Sequence, residues 1–242
     1  LLTEQGELLL ESTRDVYRKL SMLESQISDT KTEAAGPLRV TVAGFLGSTW
    51  MAPKINEFRR LYPKLKLTFM LDNKVYDLGM READAAIRLY EPLDPGLVKR
   101  KIAEIHFGIY ASQEYLEESG IPKSAKDLKD HILVGYPTSV PQPHKHTGWL
   151  FDTAGVDQSS DNHVLEINSM YAILQTVACG TGIACLPHFM AQEDKRLVPI
   201  LPKLPPPKID VFFVYPEERR NATRISIFRD FLLNQMVEKI DR

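Results

Sequence analysis

The chain of 242 residues has only two cysteines, Cys179 and Cys185. That excludes a disulfide-framed secreted scaffold and fits a reducing compartment. No run of eighteen apolar residues occurs, so no membrane-spanning helix and no membrane partner are expected. Neither sign of charge dominates: 30 basic minus 32 acidic side chains leave −2. A nucleic-acid-binding surface usually carries a basic stripe, so any contact with DNA must come from another segment. The opening LLTEQGELLLESTRD lacks the basic-then-apolar order of a signal peptide and mixes acids among its leucines. These features together favour the cytoplasm.

Catalytic signatures are missing too. There is no G-x-S-x-G, Walker loop, H-E-x-x-H or complete G-x-G-x-x-G. Gly180-Thr181-Gly182 lacks the third glycine and follows a helix instead of opening one. Glu117-Glu118 and Glu217-Glu218 read as solvated faces. Of six histidines only His144 and His146 are close, with no acid or cysteine cluster beside them, so a solvated loop is expected there and no metal. Cys179 and Cys185 read either as a redox switch or, more simply, as small buried apolar residues, with no sequence-adjacent cation to activate them. No cofactor and no catalysis are expected.

With 43% hydrophobic and 26% charged residues, the chain can build a core and two lobes. The organising stretch is 37–63, PLRVTVAGFLGSTWMAPKINEFRRLYP. Leu38, Val40 and Val42 alternate with Arg39, Thr41 and Ala43 as in a strand. Gly44 and Gly47 permit a turn, Ser48 or Thr49 can cap a helix, and Met51, Ile55, Phe58 and Tyr62 recur at helical spacing. A strand-to-helix loop of this kind is where open α/β sheets bind ligands, and the helix start favours anions. Upstream, Leu2, Gly6, Leu9, Thr13, Val16, Leu20, Leu23 and Ile27 step by four and three. This predicts a helix over 1–32, either a dimerising coiled coil or an amphipathic helix lying on its own domain. Further expectations are a strand at Leu65, Leu67, Phe69 and Leu71, a short helix at 74–82 and a strand at 84–88. A separate strand is expected from Ile105 to Ala111. A Ser124–Asp127 capping box, strands at 149–151 and 164–167, and a helix capped by Asn168 or Ser169 and ended by Gly180 follow.

Several segments resemble the LysR-type transcriptional regulators. LTEQGELLL (Leu2 to Leu10) looks like their linker-helix entry. Asp77, Leu78 and Glu82, followed by Asp84-Ala85-Ala86-Ile87-Arg88, resemble their "D-L-x-x-x-E" and "D-x-A-I-R" segments. Ala111 to Leu116 resembles their "A-S-x-x-Y-L", and 168–187, NSMYAILQTVACGTGIACLP, resembles their "A-x-G-x-G-I-x-x-L-P" stretch.

The resemblance implies a two-lobed α/β fold of the periplasmic-binding-protein type (type 2) preceded by a linker helix. The expected divisions are 1–35 for the linker and hinge, 36–110 plus 214–242 for the first lobe, and 111–213 for the second. It implies a small-molecule effector, most simply an organic acid, held between two jaws. Gly44, Gly47, Ser48 and Thr49 form one jaw; Asn168, Ser169 and Met170 form the other. Phe45, Asn73, Val75 and Tyr136 line the walls. For Ser48, Thr49 and Ser169 a plain helix cap with no ligand is the alternative. Leu9, Val16, Leu20, Leu23 and Ile27 form the dimerisation seam, a homodimer or homotetramer is expected, and promoter DNA is reached through a missing N-terminal domain. A solute-binding protein of a transporter shares the fold but has no use for the seam; an enzyme on this fold would need an acid, base or nucleophile that the sequence does not offer.

Overall fold

The computed structural model describes residues 3–9, 12–13, 16, 19–20, 35–159, 163–204 and 207–236. Strand β1 (Gly36–Val42) buries Leu38, Val40 and Val42 and exposes Arg39, the alternation its sequence predicts. It lies between β2 (Leu65–Leu71) and β3 (Ala85–Arg88), parallel to both. Parallel neighbours need a crossover, and α1 (Ile55–Leu61) lies on the connection from β1 to β2. Its one buried residue is Phe58. That ring meets Tyr62 at 5.1 Å, and Phe228 and Phe231 of α6 (Thr223–Met236) at 5.3 and 5.0 Å. The aromatic cluster fixes the last helix of the fold against the first.

Strand β3 pairs antiparallel with β9 (Lys208–Pro216), and β9 with the 16-residue β4 (Leu97–Ser112). Strand β4 then changes partners. Leu97 to His106 pairs with β9, Phe107 to Ala111 with β7 (Ile183–Pro187), and Ile109 to Ser112 also with β8 (Leu197–Ile200). Beyond β7 lie β5 (Leu133–Gly135) and β6 (Val164–Glu166), parallel to one another. The order is β2-β1-β3-β9-β4-β7-β5-β6, with β8 attached to β4. Helices α2 (Gln113–Ser119), α3 (Trp149–Ala154), α4 (Met170–Ala178) and α5 (His188–Ala191) belong to the second half. This is the two-lobed, type 2 periplasmic-binding-protein-like α/β fold.

Several local signals hold. Ser124 and Asp127 form the capping box. At the end of α4, Gly180 adopts φ +86°. Its N–H donates to Val177 O at 3.1 Å and that of Thr181 to Thr176 O at 3.3 Å, the paired bonds of a Schellman motif. Gly182 is required by close approach, since a Cβ there would lie 2.4 Å from the Ile132 carbonyl oxygen.

Other expectations are corrected. Residues 149–151 start helix α3, not a strand; a three-residue apolar run has no period to distinguish the two, and Gly155 at φ +68° supplies the helix stop. The expected helix at 74–82 is a set of turns. There the Asp77 and Glu82 carboxylates accept the N–H groups of Met80 and Asp77, the side-chain competition that unmakes short helices. The expected short strand from Ile105 is the second half of β4. Of the dimerisation seam, Leu9, Val16 and Leu20 are helical and each more than half exposed. Leu23 and Ile27 lie outside the described residues.

Candidate functional site

The first jaw is a helix start, with a different geometry from the one its sequence suggests. Helical backbone begins at Gly44, so Ser48 and Thr49 lie inside the helix and cap nothing. Their hydroxyls donate back to the Phe45 carbonyl at 3.2 and 2.6 Å. Residues Leu46–Met51 form a wide π-turn, with the Ala52 N–H bonded to Gly47 O. Pro53 supplies a reason: it has no N–H for an ordinary helical bond, and its ring crowds the preceding turn. Gly47 is enforced from below, because a Cβ would lie 2.3 Å from Leu71 Cδ2 and 2.9 Å from Val42 Cγ1.

The second jaw follows expectation more closely. Ser169 caps α4 through its hydroxyl, which accepts the Ala172 N–H at 3.4 Å. Asn168 and Ser169 are exposed, and Met170 is buried. The Met170 N–H donates to the Tyr136 hydroxyl at 3.1 Å. The Asn73 side chain, from the loop after β2, stands beside that same hydroxyl, and its Oδ1 is buried without a hydrogen-bond partner. Burial raises the Tyr136 pKa, and Asn73 and the Met170 N–H partly offset the rise. Asn73, Tyr136 and Met170 are therefore brought together, joining the β2 loop of one lobe to the start of α4 in the other. Phe45 reaches across as well, stacking on Phe189 of α5 with ring centroids 6.5 Å apart. Val75 is not drawn in; it is exposed on a rim beside Asn73 and Arg88. Arg88 donates to the Tyr76 carbonyl at 3.0 Å and faces the Tyr90 ring.

Two cavities flank this junction, and a third lies apart from it. One, about 10 Å³, touches Tyr136, Met170, His144, Thr147 and Cys185. A second, about 50 Å³, includes Asn73, Arg88 and Gln142. The third is much larger, about 480 Å³, and runs between Thr49–Lys54 and helices α4 and α5. Of the expected jaw residues only Thr49 lines it.

Sequence reasoning missed His144, which is not in a solvated loop. It is 4% exposed, and its ring meets Phe107 edge-on at 5.1 Å. Its Nδ1 accepts the His146 N–H at 3.2 Å, which leaves the proton on Nε2, a buried atom with no partner. Burial, with a smaller contribution from His146, pushes its pKa down to about 4. No sequence signal marks this, because the Pro-rich loop folds inward only through contacts with β4. Among the described residues no three candidate ligands gather to hold a metal ion. Cys179 is exposed, contrary to expectation, and Arg196 lies 3.7 Å from its sulfur. Burial drives the Cys185 thiol up to about 12.

The geometry is that of a two-lobed α/β domain in which Asn73 and Tyr136 meet the start of α4. The LysR substrate binding domain family matches residues 31–237, and the chain belongs to it. It is the effector-binding domain of a LysR-type transcriptional regulator. An HTH-type transcriptional regulator of Xanthomonas campestris is 29% identical, over 97% of this chain and 70% of that protein. The CrgA regulatory domain of Neisseria meningitidis superposes with a TM-score of 0.70 at 25% identity, covering 84% of this chain and all of that one. Full-length AphB of Vibrio cholerae, titled a virulence activator, gives 0.69 at 25% identity, over 97% and 80% of the two chains. These relatives are regulators, not enzymes. No helix among the described residues is long and apolar enough to cross a membrane.

Proposed function

We propose that this domain senses a small organic acid held between its lobes, in the cytoplasm. It passes the signal to promoter DNA through an N-terminal DNA-binding domain. The observation that carries this reading is the Tyr136 junction. One hydroxyl accepts the Met170 N–H from the second lobe and stands beside Asn73 from the first. A carboxylate entering there can accept the Tyr136 O–H together with the Met170 N–H and the Asn73 amide, tying both lobes through itself. Ligand binding then favours one lobe geometry by its differential affinity for the two states. The hinge in this reading is the part of β4, Phe107–Ala111, over which the strand has exchanged β9 for β7. The working division remains 36–110 with 214–242 against 111–213.

The seam residues Leu9, Val16 and Leu20, exposed on a helix, support pairing of two chains through 1–35 and assembly as a homodimer or homotetramer. A transporter's solute-binding protein has no use for that seam. The direct test is a thermal-shift screen against aromatic and aliphatic acids, with Tyr136→Phe and Ser169→Ala as controls. A ligand at a hundredfold its Kd adds about 2.7 kcal/mol. That is a rise of about 5–10 °C for a chain of this size. A shift reduced in the controls supports the reading, and a shift unchanged in Tyr136→Phe contradicts it.

A further inference from the structure

A further cavity, about 620 Å³, opens on the second lobe and uses none of the residues of the Tyr136 junction. It has the size of a ligand pocket. Its walls are Leu116 of α2, the turn 121–125 and the run 198–204 that leaves β8. The floor is continuous with the core. Leu116 and Ile200 are buried there, and Val198, Leu201 and Leu204 pack against them. Among the described residues the lining is aliphatic, without an aromatic ring, and its only charges are Lys123 and Lys203, both exposed. Neither ammonium has a hydrogen-bond or ion-pair partner among the described residues. Asp127, four residues beyond Lys123, is committed to the capping box and accepts the N–H groups of Lys123 and Ser124 at 2.8 and 2.9 Å. Leu201 holds φ +49°, a conformation that a leucine resists, and its carbonyl accepts the Leu204 N–H at 2.9 Å. A strained residue is therefore kept in the wall of this cavity.

We propose that this cavity binds a free fatty carboxylate, its aliphatic chain along the trough and its head toward the lysines. Three features select that chemistry. An aliphatic lining offers apolar area but no ring to stack on, which suits a flexible hydrocarbon chain. The charges around it are of one sign, so an anion is attracted and an amine repelled. Strand β8 pairs with β4 alone, and the prolines at 199 and 202 blunt its open edge against an added peptide strand. The chain of the ligand supplies the affinity, and its carboxylate sets the orientation. This site goes beyond the organic-acid reading at Tyr136 and does not depend on it.

The test is calorimetric titration of the whole chain with dodecanoate below its micellar concentration, and with butyrate and dodecyltrimethylammonium. The expected result is saturable binding of one dodecanoate per chain, with the short acid and the cation each at least tenfold weaker. Lys123→Gln combined with Lys203→Gln should weaken dodecanoate at least tenfold. Ile121→Asp, at an exposed position in the wall, should do the same by placing a carboxylate there. Both variants should keep the parent's circular dichroism. Tyr136→Phe should leave the affinity unchanged, which separates this site from the junction. Equal binding of the cation, indifference to the lysine double variant, or no saturable heat from dodecanoate would overturn the proposal. So would lysine-dependent flotation with phosphatidylglycerol vesicles in place of binding to the free acid, which would assign this surface to a membrane.

Discussion

The Met170 backbone N–H donates to the Tyr136 hydroxyl at 3.1 Å, so the first turn of α4 is closed by a side chain from the loop after β5. The bond is buried, and Asn73 stands beside the same oxygen. Removing one partner of a buried bond strands the other, which costs about 1–3 kcal/mol. Tyr136→Phe should lower stability by that amount in urea unfolding with an unchanged slope. An unaltered midpoint would mean that water replaces the hydroxyl at no cost.

His144 makes stability depend on pH. Its folded pKa of about 4 lies below its ordinary value of 6.5, because burial disfavours the charged ring. The unfolded chain therefore binds the extra proton between the two values. The stabilisation is complete above pH 6.5 and falls away as pH drops toward 4. The difference of 2.5 at about 1.36 kcal/mol each corresponds to a loss of about 3 kcal/mol from this residue. Replacing it by glutamine should flatten the stability profile over that window. An equal slope in parent and His144→Gln would locate the dependence elsewhere.

Arg219 is buried and paired with Asp84, whose second oxygen accepts the Arg39 N–H at 2.7 Å. The pair fixes the start of β3 to the turn after β9. Asp84→Ala takes its ion-pair partner from a buried guanidinium, and the expected cost is about 3–5 kcal/mol. The double variant with Arg219→Met should recover much of it. Equal stability of the single and double variants would show that the pair carries no coupling.

Two glycines should respond differently to alanine. At Gly182 the obstacle is the Ile132 backbone oxygen at 2.4 Å, which cannot step aside without moving β5. At Gly47 the nearest atoms are side-chain ends, Leu71 Cδ2 at 2.3 Å and Val42 Cγ1 at 2.9 Å, and the exposed Leu71 gives way more easily than a backbone oxygen. Gly182→Ala should cost about 1–3 kcal/mol, as overpacking does. Gly47→Ala should cost less, and the reverse order in thermal melts would contradict this reading.

The parts of the fold legible in the sequence were those with a period or a fixed residue demand. Leu38, Val40 and Val42 gave a strand by alternation, and Gly180 gave a helix end by the positive φ that other residues resist. Ser169 was legible as a cap because its short hydroxyl reaches the third N–H of the helix. Ser48 and Thr49 carry the same residue types, yet their helix starts earlier and widens before Pro53, an outcome settled by the packing of Gly47 on Leu71 and Val42. The burial of His144 and the meeting of Asn73 with Tyr136 depend on contacts between segments far apart in the chain, and no local spacing encodes them.

The central claim is that an acid enters between the jaws and draws both lobes onto itself. Amide hydrogen exchange with and without a saturating acid from the thermal-shift screen tests it most directly. The account predicts slowed exchange in the same titration at 44–49, at 73–75 and at 168–172, with Met170 the most protected. Protection confined to one lobe would contradict it.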